Sequence, residues 1–283
     1  MSLRCSNILV IGGSSGMGKA IAKRLLREGA NIVIAGRSAD KLAGAYVELS
    51  ADRGLAFSYN GSDQAELEAL LARMKLQAAD RHTRLFTLEM DIGDCDAIPA
   101  KLAEADALLP GGLDGFVNAA ALGGHQTLGR GYEPFDITPD EWDLLSDTNF
   151  KGAFFLMRDE INYLLGTGRK GNILTFASNA ACMDVIGSYG AAKNAIIRWT
   201  RAFGKRYGEK GIIINGIAPG AVLTPMISSY AHSADQPYPR HAIGRFILPD
   251  EIAALASYLM SEEGEIVCGH TVVADGGDKM AIL

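Results

Sequence analysis

Short apolar runs alternate along this chain with longer segments whose apolar residues recur at helical spacing. The first run is Asn7–Gly12, rich in Ile and Val. A glycine-rich turn follows, then a helical stretch reaching Glu28, with Gly29 where a helix C-cap is expected. Further runs fall at Asn31–Gly36, Leu85–Met90, Gly115–Asn118, Asn172–Ala177, Ile212–Ile217 and Thr271–Ala274. They are apolar at odd and even positions alike, as strands buried on both faces of a parallel sheet must be. Regular β/α alternation predicts a doubly wound α/β fold. No Pro/Ser-rich linker interrupts it, so residues 1–283 read as a single domain.

One interval breaks the rhythm. Between Arg37 and Leu85 lie 47 residues, more than one helix and two short turns need. Leu55–Leu71 resembles Phe86–Leu102 at an offset of 31, each reading as strand, polar turn and helix. An inserted strand–helix unit and a chance similarity both fit. We place an excursion at about 44–84, with a helix near Asp63–Gln77.

Composition narrows the partners. A net charge of −6 without a Lys/Arg-rich run argues against nucleic-acid binding. The four cysteines (Cys5, Cys95, Cys182, Cys268) lack CxxC spacing, and the five histidines lack metal-ligand spacing, so no metal site and no disulfide framework is expected. No apolar run approaches membrane-spanning length, and a strand-like run begins by Ile8, leaving no room for a signal peptide. A cytoplasmic protein is the expectation.

Two motifs carry chemistry. Gly12-Gly13-Ser14-Ser15-Gly16-Met17-Gly18 lies directly after the first strand and opens a helix. Glycines let such a turn approach a pyrophosphate, and the helix N-terminus beyond supplies N–H donors for the anion. Tyr189 and Lys193 are four apart on a predicted helix, hence on one face and about 6 Å apart along its axis. An ammonium near a phenol lowers the phenol's pKa and suits it to acid/base work near neutral pH.

With Ser178 closing the strand before that helix, the chain resembles the short-chain dehydrogenase/reductase family over nearly its whole length. The Gly12/Gly16/Gly18 spacing resembles its short, single-domain branch. Asp91-Ile92 stands where the family has an adenine-contacting Asp, and Asn118-Ala119-Ala120-Ala121 where it closes the fourth strand. Asn149, in Thr148–Gly152, resembles its helix asparagine. Asn215–Thr224 resembles its Pro-Gly segment. Gly244–Phe246 and Asp275–Gly277 resemble its C-terminal signatures. The resemblance implies a Rossmann-type sheet and hydride transfer between NAD(P)(H) and a carbonyl/alcohol pair. It implies Tyr189 as general acid/base, Lys193 on the nicotinamide ribose, Ser178 on the substrate oxygen and Asn149 positioning a water. It implies dinucleotide contacts from Gly12, Ser14, Ser15, Gly16, Met17, Gly18, Arg37, Ser38, Asp91, Ile92, Asn118, Ala119, Ala120, Pro219, Gly220, Val222 and Thr224. It also implies a homo-oligomer, commonly a tetramer packed through the helices bearing Asn149 and Tyr189. A catalytically silent dinucleotide sensor is the alternative. Reduction of a C=C bond fits less well, because that branch spaces its Tyr and Lys more widely.

Some positions depart from the family. Ile11 replaces its usual Thr, and Ala119 and Ala121 replace Asn and Gly, so the brace between the glycine turn and the fourth strand is lost on both sides. Ser178 and Tyr189 are only 11 apart, which calls for a tight loop, with Ser188 as a fallback donor. At the second strand's end Gly36 occupies the place of the acid that selects NAD, and Arg37 and Ser38 follow. An arginine there suits a 2′-phosphate, so NADP is expected over NAD. Residues 223–246 read as a lid over the substrate, with His232 and His241 solvated on it. His125, Cys182 and Met183 are candidates to line the pocket. Trp142, Phe150 and Met157 are expected in the core.

Overall fold

The computed structural model describes residues 2–51, 65–70, 72, 84–129, 134–182 and 187–278, the side chains of 125–126 aside. In chain order the elements are β1 (Asn7–Ile11), α1 (Gly16–Arg27), β2 (Asn31–Gly36), α2 (Ala39–Ala51), β3 (Leu85–Glu89), α3 (Ile98–Ala107) and β4 (Gly115–Asn118). Then come α4 (Gly124–Leu128), α5 (Pro139–Ser146), α6 (Ala153–Thr167), β5 (Gly171–Phe176) and α7 (Ser188–Tyr207). The last are β6 (Ile212–Pro219), α8 (Pro249–Leu259) and β7 (Thr271–Ala274). The strands form one seven-stranded sheet in the order β3-β2-β1-β4-β5-β6-β7. Every pairing is parallel, as the doubly apolar runs predict.

Strand alternation divides the core in two. Ile8, Val10, Ile32 and Ile34 face one side, packed with Ile21 and Leu25 of α1, Leu42 of α2 and Ile252 of α8. Leu9, Ile11, Val33 and Ala35 face the other, with Ile98 and Leu102 of α3 and Leu156 and Ile161 of α6. The order reverses direction between β1 and β4, so the loops after these strands part and leave a crevice at their C-terminal ends, where α/β sheets bind ligands.

Element boundaries follow the sequence reading closely. Gly29, at φ +100°, ends α1 as its composition predicts. β3 is the run expected from Leu85, and it pairs with β2 from Ile32↔Leu85 to Gly36↔Glu89. The first residues of the interval placed at about 44–84 are helical, because α2 continues to Ala51. Residues 65–70 and 72 are helical, within the expected helix. The rest of that interval lies outside the described residues, including most of Leu55–Leu71 and the turn Asn60–Asp63, which a second register of the sequence would put at the adenine in place of Asp91. Met157 is buried as expected, but Trp142 and Phe150 are each 43% exposed. Phe150 lies against Trp199 of α7, ring centroids 5.1 Å apart, on the outside of the molecule instead of in the sheet core.

Candidate active site

The glycine turn is shaped by contact with the fourth-strand turn. Gly12 has φ +79°, and a Cβ there would stand 2.7 Å from the Ala120 nitrogen. A Cβ on Gly18 would stand 2.3 Å from the Gly12 carbonyl oxygen, so no side chain fits at either place. The brace absent from the sequence is supplied by backbone: Ala119 N–H donates to the Ile11 carbonyl at 2.9 Å. Ser15 caps α1 in an extended conformation without a side-chain hydrogen bond to the helix. The first-turn N–H groups therefore remain open to an anion, with the helix dipole behind them.

Gly36 closes β2 beside this turn. A Cβ there would stand 3.3 Å from the Ser14 hydroxyl, so a larger residue would crowd the serine. Arg37 is exposed, and among the described residues no acceptor engages its guanidinium. Ser38 Oγ accepts the Lys41 N–H at 3.3 Å and so starts α2. Asp91 follows β3, exposed, with Oδ1 accepting Gly93 N–H at 2.9 Å. Ile92 is buried, its carbonyl against Gly152. Asn118 donates from Nδ2 to Glu160 at 2.9 Å. Burial pushes the Glu160 carboxyl well above the usual carboxylate range. Asn118 Oδ1 and Glu160 Oε1 have no partner among the described residues. A cavity of about 20 Å³, room for one water, adjoins Asn118 and Ala120.

A larger cleft, about 370 Å³, opens beyond the crevice. Ser178, just past β5, and Tyr189, in the first turn of α7, share its wall with Met17, Pro219, Gly220, Val222 and Thr224. Ser188 is buried and absent from the lining, so Ser178 keeps the expected place despite the short loop. Lys193 lies one turn beyond Tyr189, 3% exposed, its Nζ donating to the Phe176 carbonyl at 2.9 Å. Burial lowers its pKa to about 8.

One expectation about this group changes. Enclosure raises the Tyr189 pKa, and the neighbouring Ser178 hydroxyl pulls the other way. Lys193 turns onto the Phe176 carbonyl, with its Nζ 5.6 Å from the Tyr189 ring centre. Asn149 sits in a π-helical turn, Asp147–Gly152, and spends its side chain on Leu122, accepting its N–H and donating to its carbonyl, both at 2.8 Å. Its amide thus holds the loop after β4, with one N–H and one Oδ1 lone pair outside these two bonds.

The 223–246 segment borders the cleft through Thr224, Met226, Ile227, Ser229, Tyr230, Tyr238 and Arg240. His232 is exposed as expected, but His241 is 1% exposed. His241 Nε2 accepts Ala221 N–H at 3.2 Å and its Nδ1 lies 2.8 Å from the Arg245 carbonyl, which requires the neutral Nδ1–H tautomer. It ties this segment to the loop after β6. Cys182 is absent from the cleft lining, and Met183 lies outside the described residues. Sequence reasoning passed over Asn179, Arg240 and Asp278, which the cleft brings together, and Glu160. No local motif marks any of them.

Comparison with known proteins agrees with this geometry. A family model described as Enoyl-(Acyl carrier protein) reductase matches residues 51–278. A second, described as short chain dehydrogenase, matches residues 6–79. A 2,5-dichloro-2,5-cyclohexadiene-1,4-diol dehydrogenase of Sphingobium indicum is 31% identical over 276 residues, 95% of each chain. A short chain dehydrogenase structure from Bacillus anthracis superposes with TM-score 0.74 at 26% identity, covering 98% of this chain and 97% of that one. A Burkholderia cenocepacia short chain dehydrogenase in complex with NADP gives TM-score 0.71 at 25% identity, covering 96% and 97%. Among the described residues no helix is long and apolar enough to cross a membrane.

Proposed function

Because the chain belongs to the short-chain dehydrogenase/reductase family, we propose that it interconverts a carbonyl and a secondary alcohol with NADP(H) as preferred partner and Tyr189 as acid/base. That it is an NAD(P)-dependent oxidoreductase follows from the family. The reading of its own residues rests on one observation: Ser178 and Tyr189 share a cleft wall with the glycine turn and the Pro219–Thr224 loop. The open α1 N-terminus, the close-packed glycines and the free Arg37 fit a dinucleotide. When bound, the nicotinamide supplies or accepts the hydride.

The chain's own part is proton handling and orientation. Tyr189 gives its phenolic proton to a carbonyl oxygen as charge gathers there, or takes it back from the alcohol. Ser178 donates a hydrogen bond to the same oxygen. Lys193, desolvated behind them, has little to anchor it but the Phe176 carbonyl and is available to a ribose hydroxyl. Asn149 positions the Leu122 loop. Arg37, with Ser14 beside Gly36, takes the 2′-phosphate, while Asp91 and Ile92 border the adenine. Residues 223–246 serve as the lid of a single-domain enzyme. The substrate is a small molecule and the location cytoplasmic.

Steady-state kinetics with NADPH and NADH over a panel of ketones tests this reading. Tyr189→Phe should lower kcat by about 10²–10⁴ while dinucleotide affinity stays close to wild type. Arg37→Ala should raise the KM for NADPH about tenfold or more and leave NADH nearly unaffected, as loss of a charge-assisted contact would. A wild-type preference for NADH overturns the cofactor choice. Dinucleotide binding without turnover of any ketone or alcohol would make the chain a sensor.

A further inference from the structure

The cleft carries a charged corner that the proton chemistry does not use. Arg240 and Asp278 line it, as does Asn179. Asn179 Nδ2 donates to Asp278 Oδ2 at 3.0 Å, and the Asp278 side chain is only 8% exposed. The carboxylate is therefore fixed. Arg240 stands over it with Nε 3.7 Å from Oδ1, an ion-pair distance too long for a hydrogen bond. No acceptor among the described residues takes any of the guanidinium's five donors. The Arg240 side chain is 56% exposed and borders the cleft.

The backbone carrying this arginine is held on both sides. His241, next in the chain, is buried and bonded to Ala221 and Arg245. Tyr238, two residues before, stacks on Phe246 with ring centroids 4.3 Å apart. Among the described residues the remaining lining is neutral and mostly apolar, with Met17, Val222, Met226 and Ile227 among it. An arginine held at its backbone and with its donors unspent at its tip, in a cleft whose other charged residue among the described ones is Asp278, is an arrangement suited to a planar anion. Its fork accepts a carboxylate through two parallel N–H···O bonds. Asp278 balances the guanidinium when the cleft is empty and keeps it aimed across the site.

We propose that Arg240 is a specificity-determining residue that selects compact carbonyl or alcohol substrates bearing a carboxylate. The proposal rests on the oxidoreductase reading above and goes further by naming the substrate class. Its probes are 4-oxopentanoate, 5-oxohexanoate and 6-oxoheptanoate, each beside its methyl ester, reduced with NADPH or NADH. Wild type should favour at least one acid over its ester by tenfold or more in kcat/KM, mainly through KM. That preference should weaken as ionic strength rises. Arg240→Gln should cut the acid-to-ester ratio at least tenfold and remove its salt dependence. Arg240→Lys should restore part of the ratio, because a point charge without the fork remains. Equal use of acid and ester, preference for the esters, or an Arg240→Gln variant that lowers both alike would overturn the assignment and leave the oxidoreductase reading standing. Absence of turnover with every acid, every ester and the neutral ketone panel would remove both.

Discussion

Lys193 is a cation folded where a cation is costly. Its pKa falls from 10.5 to about 8 on burial. Between those values the unfolded chain holds a proton that the folded chain does not, so stability rises with pH across that window. Below about 8 the charged form is present in both states and the burial penalty is constant. Lys193→Met should therefore stabilise the dinucleotide-free protein at pH 7 by up to about 3 kcal/mol, at the expense of activity. The gap over wild type should close as pH rises toward 10.5. Urea unfolding of both proteins at pH 7, 9 and 10.5 reads this directly, and a gap that widens with pH would contradict it. The group is held in a strained electrostatic setting where a bound ribose hydroxyl would offer new acceptors, as functional sites commonly are.

At the scale of elements, the cleft depends on how the segment after β6 is held against the sheet. His241 joins the Ala221 N–H to the Arg245 carbonyl, and a Cβ on Gly220 would stand 2.9 Å from His241 Nε2. Arg245 in turn forks onto Glu251 at 2.7 and 2.8 Å, and Glu251 accepts Leu248 N–H at the start of α8. The segment after β6 is thus moored to one loop and one helix by a chain of polar contacts. His241→Phe keeps the bulk but leaves Ala221 N–H without its acceptor. It should cost roughly 1–3 kcal/mol in denaturant unfolding and raise KM for substrate and dinucleotide together. Unchanged kinetics in a destabilised variant would show that the mooring serves stability alone.

The whole molecule presents an aromatic face on α6 and α7, the helices next to Asn149 and bearing Tyr189. Phe150 and Phe154 each lie 5.1 Å from Trp199, and Phe154 packs on Phe203. Trp142, Leu144 and Phe150 are exposed nearby. Large apolar side chains grouped at a surface mark an association site. A homotetramer joined through these helices is the expected state at micromolar concentration. Phe150→Glu should shift sedimentation toward smaller species while leaving the far-UV circular dichroism unchanged. A monomeric wild type would refute the interface.

The strands, their parallel order and the glycine turn were legible in the chain itself, because each rests on local periodicity or on backbone conformations that only glycine allows. Tyr189 and Lys193 were legible because one helical turn sets their relation. The sequence alone also located Gly36-Arg37 at the end of β2. What Asn149 bonds, why His241 is buried and why Tyr189 is raised in pKa were decided by tertiary structure. Burial and hydrogen-bond partners come from segments distant in the chain: Leu122 for Asn149, Ala221 for His241, Phe176 for Lys193. Trp142 and Phe150 read as core because apolar residues on a helix face the sheet by default. Here that helix pair presents a second apolar face outward. The Arg240–Asp278–Asn179 corner needed the fold most, since it joins residues 99 positions apart. No spacing rule reaches that far, and only the folded chain brings them into one cleft.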